Sequence, residues 1–268
     1  SAKNFLLYHR LNEKIKKDKK RVLINGFGSD EIFGGYYSHQ IFYLDSLANR
    51  STFLPSFHKY KKYVQPNIKN KYLKNFSLYL QNRNKFNSSF LVHDIYENQN
   101  YFKKKIYKKN FDKIYFKKFF KNKLANDLFT YYLPSQLNDS DSISMYSSIE
   151  NRTPYLTKDL FDFSFSIPDN FLIYNGYGKY ILREAFKDIV PSEIINQREK
   201  IGFNCNIKDL FDIKSQNFKN IIFSSNFINN QISIDKINKL LNKDKITNVE
   251  SHLIFSILSL ATFFSVFK

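Results

Sequence analysis

The apolar positions of this chain follow a helical period over most of its length, with one clear exception near the N-terminus. Residues 3–18 place Phe5, Leu6, His9 and Ile15 on one side, and the lysines between 14 and 20 close the pattern, which predicts a helix. The exception follows at once. Val22-Leu23-Ile24 is a short unbroken apolar run, read as a buried parallel strand, and Asn25-Gly26-Phe27-Gly28 breaks it. Ser29 then suits a helix N-cap, Asp30 and Glu31 put carboxylates in a first helical turn, and Gly34-Gly35 ends that turn.

Further along, Ile41, Phe42, Leu44, Leu47 and Ala48, and again Leu78-Tyr79-Leu80, have helical character, with Pro55 and Pro66 expected in loops. Residues 101–123 alternate aromatics with lysines. Amphipathic helices whose lysine stems cover an apolar face would read this way, and so would lysines and stacking aromatics on a nucleic acid; the first reading is favoured. Asp141, Met145 and Ile149 are spaced to share one helix face, after which Thr153-Pro154 forces an extended exit. Ile181, Leu182, Ala185, Phe186 and Ile189 are expected to form a core stripe, with Lys179 and Arg183 on another face where they would meet an anion or simply solvent. Residues 205–248 are polar and Asn-rich. The charge-free run from Leu253 to Phe267 falls short of the roughly 20 residues that span a bilayer, so a buried core helix is expected and no membrane partner.

Composition changes this picture little. The 268 residues suffice for one large domain or two small ones, and 43% hydrophobic content supports a sizeable core. A net charge of +18 would suit nucleic acid or an anionic surface. However, Lys, Asn, Ile, Phe and Tyr are abundant together while Gly, Pro and Trp are scarce, and that joint skew favours a general residue bias with lysines on solvated faces. No nucleic-acid partner is expected. Cys205 is the only cysteine, which excludes an intramolecular disulfide and a Cys-rich zinc site and agrees with a reducing, cytoplasmic setting. The chain opens at Ser1 directly into a helical pattern, with no signal-peptide pattern, as expected of a fragment or a processed chain.

The candidate chemistry sits at residues 21–36, R-V-L-I-N-G-F-G-S-D-E-I-F-G-G-Y. A strand, a glycine loop and an acidic helix start is how open α/β sheets place ligands at the carboxyl ends of their strands. Glycines around one residue let backbone approach a ligand, and a carboxylate there commonly holds Mg²⁺ on a phosphate. A plain strand and turn would share the same spacing.

The wording of the segment is more specific, and resembles the S-G-E-G-[AS]-D-E-[LV]-F-G-G-Y loop of the glutamine-hydrolysing asparagine synthetase family, with Asn25 for the Ser and Phe27 for the Glu. Three further blocks follow in the family's order. L-P-S-Q-L-N-D-S-D-S-I-S-M-Y-S-S-I-E-N-R-T-P-Y-L, from Leu133, is similar to its second signature at Asp141, Ser144, Met145, Ser148, Ile149, Glu150, Arg152, Pro154, Tyr155 and Leu156, with Ser142 and Thr157 as departures. G-Y-G-K-Y-I-L-R-E-A and R-E-K-I-G-F resemble the remaining two. Glu150 and Arg152 are read as a structural ion pair in preference to a catalytic one.

The resemblance implies a single synthetase domain over residues 1–268. Its fold class is α/β, the mostly helical C-terminal part of an adenine-nucleotide-hydrolase-like (PP-loop ATPase) domain with few parallel strands in this chain. The implied chemistry is adenylation of the aspartate side chain by Mg-ATP, with loss of pyrophosphate, followed by displacement of AMP by ammonia from glutamine. ATP and Mg²⁺ are the implied cofactors. Asp30 would be the metal ligand, Lys200 would stabilise charge at the α-phosphate, and Gly26, Phe27, Gly28 and Ser29 would shape the nucleotide pocket. Glu31 is expected to be structural. The sequence does not decide the oligomeric state, and a homodimer is the assembly kept open. The family's S-G-G-x-D-S pyrophosphate loop and its glutaminase domain do not occur in these residues, so the chain by itself is expected to hold part of an ATP site and to be inactive. Phe27 cannot accept a proton where the family has Glu, which opens two alternatives: an enzyme activating another carboxylate, for example in surface-sugar modification, and a degenerate module without catalysis.

Overall fold

The computed structural model describes residues 2–68, 70–83, 98–104, 112–200, 202 and 205–267. In chain order the helix α1 (Ala2–Lys17) leads to the strand β1 (Val22–Ile24) and the short helix α2 (Ser29–Phe33). Then come α3 (Tyr37–Ser46), α4 (Phe53–Lys59), α5 (Lys71–Lys74), α6 (Phe76–Gln81), α7 (Phe119–Asn126) and α8 (Tyr132–Tyr146). The strand β2 (Glu150–Arg152), the helix α9 (Lys158–Ser166), the hairpin strands β3 (Ile173–Tyr174) and β4 (Tyr177–Gly178), and the helices α10 (Tyr180–Phe186) and α11 (Ser192–Ile195) follow. Last are α12 (Gln216–Phe223), α13 (Asn226–Gln231), α14 (Ile234–Leu241) and α15 (Asn248–Val266). The protein is mostly helical, 64%, with few strands, as the fold class anticipates.

The chain divides into two compact units. One gathers residues 1–17, 90–109 and 203–268. Its core is mostly aliphatic: Ile207, Ile222, Ile228, Ile237, Leu240 and Leu241 cluster with Leu253, Ile254, Ile257 and Ala261 of α15, joined by Phe218 and Phe255. Thr247 and Glu250 start α15 with reciprocal side-chain caps, which satisfy two backbone donors that have no partner inside the helix. By length and composition α15 is apolar enough to cross a membrane, at 19 residues. Its first half is buried in this core as expected, whereas Phe263, Val266 and Phe267 beyond it are more than half exposed.

The other unit gathers residues 18–89 and 110–202 and carries the conspicuous motifs. Its centre is α3, buried on all sides, with Ile41, Phe42 and Leu44 set against Tyr79, Phe120 and Leu124. A helix buried all round must bring partners for its polar residues. Accordingly, His39 Nε2 lies 2.9 Å from Asp127 Oδ2, and Asp45 accepts from the Tyr79 hydroxyl at 2.8 Å and pairs with Arg83.

β1 pairs in parallel with β2, Val22 opposite Glu150 and Ile24 opposite Arg152. The strand is parallel as anticipated, but it is not fully buried: β1 meets a single neighbour among the described residues, Ile24 is 70% exposed on one face, and Leu23 on the other is half-buried. Other expectations also change. α8 ends at Tyr146, so Ile149 does not share a helix face with Asp141 and Met145; it is buried while those two are exposed. The stripe on α10 is not core, since Ala185, Phe186 and Ile189 are exposed and the helix has no buried residue. Pro55 sits in the first turn of α4, where a missing N–H costs nothing, and Pro66 opens a 3₁₀ turn. Of the aromatic–lysine stretch, residues 105–111 lie outside the described residues and 112–118 are not helical.

Candidate active site

The site is built where β1 runs out. Asn25 extends the ladder by donating its backbone N–H to Arg152 O at 2.9 Å, and its side-chain Oδ1 then accepts the Phe27 N–H at 3.0 Å. That Asx turn lifts Gly26 to the surface and leaves Phe27 half-buried. Gly28 caps α2 with φ 88°, and a Cβ there would lie 2.2 Å from Leu156 Cδ2, so only glycine fits. Ser29 is therefore not the N-cap. It is the first helical residue, and its hydroxyl donates to Gly26 O at 2.8 Å, which ties the loop shut.

α2 holds Asp30 and Glu31 in different surroundings. Glu31 is 2% exposed and receives the Tyr36 hydroxyl. Burial raises its pKa against that hydrogen bond, and nearby Asp30 adds to the rise. Asp30 is more open, with its side chain 24% exposed. Lys200 Nζ donates to Asp30 Oδ2 at 2.8 Å, and Lys179 Nζ faces Oδ1 at 3.0 Å. Burial alone would raise the pKa of Asp30, but the two ammonium groups outweigh it and hold the carboxyl down at about 2. For Lys200, burial lowers the pKa in spite of the carboxylate beside it.

Lys200 is placed by two tyrosines. Its backbone N–H donates to the Tyr37 hydroxyl at 3.0 Å, and its ammonium lies 3.7 Å from the centre of the Tyr36 ring, a cation–π contact. Lys179 is placed by the hairpin. It takes φ 53° directly after Gly178 and donates its N–H to Phe33 O, which locks it to the end of α2. At Gly35 an added Cβ would lie 1.8 Å from Asp30 Oδ1, so this glycine makes room for the carboxylate.

The structure thus joins Asp30 to Lys200 across 170 positions, beside Gly28 and Ser29, with Gly26 and Phe27 on the same loop. It adds Tyr36 and Tyr37, which sequence reasoning passed over, and brings in Lys179, which was expected to meet an anion or solvent beside Arg183. Lys179 does not share a helix face with Arg183; it precedes α10, while Arg183 turns to the carbonyls of Gly178 and Ile195. The signal for Lys179 was its position right after the Gly-Tyr-Gly turn. Glu150 and Arg152 form an exposed ion pair at 2.8 Å on one face of β2, as expected. In the R-E-K-I-G-F block, Ile201 and Phe203 lie outside the described residues.

Residues 3–263 match the family described as asparagine synthase, nearly the whole chain. The chain belongs to the asparagine synthase family. Among its relatives, the glutamine-hydrolysing asparagine synthetase 1 of Bacillus subtilis (strain 168) is 40% identical over 77 residues, 29% of this chain and 12% of that protein. A putative glutamine-hydrolysing asparagine synthetase of Mycobacterium tuberculosis (strain ATCC 25618 / H37Rv) is 36% identical over 77 residues, with the same shares. The matched stretch thus spans about an eighth of the length of these curated relatives. No solved structure matches the chain significantly.

Proposed function

We propose that this chain carries part of the active site of an ATP-dependent amidotransferase that activates a carboxylate by adenylation and passes the acyl group to ammonia derived from glutamine. The observation that carries the reading is the cluster of Lys200, Lys179 and Asp30 beside the glycine loop at the carboxyl end of β1. Two ammonium groups face one carboxylate, so the cluster is net positive where an open α/β fold places phosphates. Ammonium groups held in advance against neighbouring protein atoms suit charge that grows on a phosphate oxygen, because little reorganisation is then needed.

The donor set also suits Mg²⁺ of a restricted kind. Among the described residues no group of three His, Cys, Asp or Glu side chains is gathered for a metal. Mg²⁺ commonly keeps several waters and takes one or two carboxylates plus substrate phosphates, so Asp30 alone would serve as its protein ligand. When bound, the ion supplies further neutralisation of phosphate charge. The chain's own groups then have separate tasks: Lys200 and Lys179 hold anionic oxygens, and Glu31, tied to the Tyr36 hydroxyl, fixes the ring beneath Lys200.

The family's name gives asparagine as product, which makes aspartate the first acceptor to consider, and Phe27 makes a different carboxylate the second reading. The phenyl ring offers no base where a proton must leave the attacking nitrogen. Calorimetric titration of the chain with pyrophosphate and with Mg-ATP tests the reading. Binding is expected for both, about tenfold weaker in Lys200→Ala and in Lys179→Ala, each ~1.4 kcal/mol. A wild-type chain with no affinity for either ligand would remove the reading and leave the non-catalytic module.

A further inference from the structure

A cavity of about 280 Å³ opens within the same unit as Asp30, lined by α3, α4 and the β3–β4 hairpin. It lies just below the roughly 300–1,000 Å³ of drug-sized ligand sites, which sets the scale of an occupant at a small metabolite. Its chemistry is uneven. Gln40 projects from the central helix α3, is 7% exposed and lines the cavity, where its amide can offer both a donor and an acceptor. Asn175, on the hairpin turn, has its Oδ1 buried with no partner among the described residues. Ser56 and Lys59 come from α4, and none of the described lining residues is acidic. The rings of Tyr60 and Tyr174 complete the wall.

We propose that this cavity is a binding site for a small carboxylate that also carries an amino or hydroxyl group, an α-amino or α-hydroxy acid. Lys59 supplies the positive charge for the carboxylate, and no described acidic residue in the lining competes for it. Gln40 donates to the ligand through its NH₂, and Gln40 and Asn175 oxygens accept from the ligand's amine or hydroxyl. The Asn175 oxygen then has a partner of the right kind, which a purely apolar ligand would not provide.

The cavity also touches both elements that place the lysines on Asp30. Gln40 Nε2 lies 3.5 Å from where a Cβ on Gly178 would be, one residue before Lys179. The Asn175 carbonyl accepts from Arg198 at 2.7 Å, two residues before Lys200, and Arg198 is clasped by the rings of Tyr63 and Tyr177. A ligand that fixes Asn175 and Gln40 therefore stiffens the supports of both ammonium groups, and coupling between the two sites must be reciprocal.

The test uses the full chain and named probes: glycine, L-serine, L-asparagine and L-lactate, with glycinamide as the probe lacking a carboxylate. Thermal shift and calorimetry are expected to show binding of at least one acid and none of glycinamide. Affinity is expected to fall about tenfold in Lys59→Ala, which is exposed and keeps the fold, and in Gln40→Leu, or ~1.4 kcal/mol each. Circular dichroism of both variants identifies any that fails to fold. Pyrophosphate affinity measured with and without the bound acid reads the coupling separately from the pyrophosphate site itself. Failure of all four acids to bind, or binding unchanged in folded Lys59→Ala and Gln40→Leu, would overturn the proposal.

Discussion

Asp30 makes a prediction that belongs to a single side chain. Its pKa is depressed from 3.8 to about 2, so the stability it contributes is present above the unfolded value and is lost as pH falls through about 2. An NMR titration of the Asp30 carboxyl is expected to show that low midpoint, and Lys200→Ala should move it upward because a neutralising charge within hydrogen-bond reach has gone. A midpoint indifferent to Lys200 would mean the ion pair is not formed in solution. Gly28 makes a second. Gly28→Ala demands φ 88° of an L-residue and pushes into Leu156, so a loss of about 1–3 kcal/mol is expected in a denaturant melt. An unchanged midpoint would mean that the loop relaxes freely. At Phe27 the prediction concerns rate. If the whole protein adenylates a carboxylate as proposed, pyrophosphate exchange with ATP should outpace asparagine formation, and Phe27→Glu should raise the latter by up to about 10²–10⁴-fold where aspartate is the acceptor. Fast asparagine synthesis by the wild type that Phe27→Glu destroys would assign the ring a positive role.

The elements show which features a sequence can reveal. The glycine loop and α2 were legible because Gly28, Gly34 and Gly35 occupy positions that only glycine tolerates, two of them at positive φ. Asp30 and Lys200 were legible through motif words, not through spacing, since periodicity says nothing of a contact across 170 residues. Lys179 was misplaced because the periodicity of residues 180–189 extends smoothly back to it, while its left-handed conformation and the hydrogen bond to Phe33 O depend on a hairpin two residues long. The exposure of β1 and of α10 was illegible for a related reason: an apolar run reports what a segment prefers, not whether a neighbour covers it. One element-scale surprise carries a measurement. Lys121 of α7 is 1% exposed, donates to Ser164 O at 2.6 Å and lies 3.7 Å from Asp169. Burial brings its pKa down to about 8, against the pull of Asp169. The unfolded chain therefore holds the extra proton between about 8 and 10.5, and stability rises with pH across that window. Compared with Lys121→Met, the wild type should gain melting temperature from pH 7 to pH 10; a constant difference would show the lysine to be charged throughout.

At the scale of the whole molecule, two features oppose each other. The net charge of +18 repels like molecules. Yet apolar side chains stand exposed in both units: Val22 and Ile24 on β1, Ile189 and Ile194 about α10 and α11, and Phe263, Val266 and Phe267 on and just beyond the end of α15. β1 adds a strand edge with no ladder partner among the described residues, and unpaired edges recruit other chains. Which effect prevails is a question of screening. Repulsion between surface charges reaches about 10 Å at 0.1 M salt and about 3 Å at 1 M, whereas apolar contact does not weaken with salt. The chain studied alone should therefore sediment as smaller species at low ionic strength and associate as salt is raised, the reverse of what a charge-driven assembly would do. Ile24→Lys places a charge on the open strand and should cut the association seen at high salt, while a charge added at the solvated Lys16–Lys20 run should not. Sedimentation velocity across a salt series decides the matter. A single monomeric species at every salt concentration would show that the exposed β1 surface is not adhesive, and association that salt disperses would assign the contacts to ion pairs.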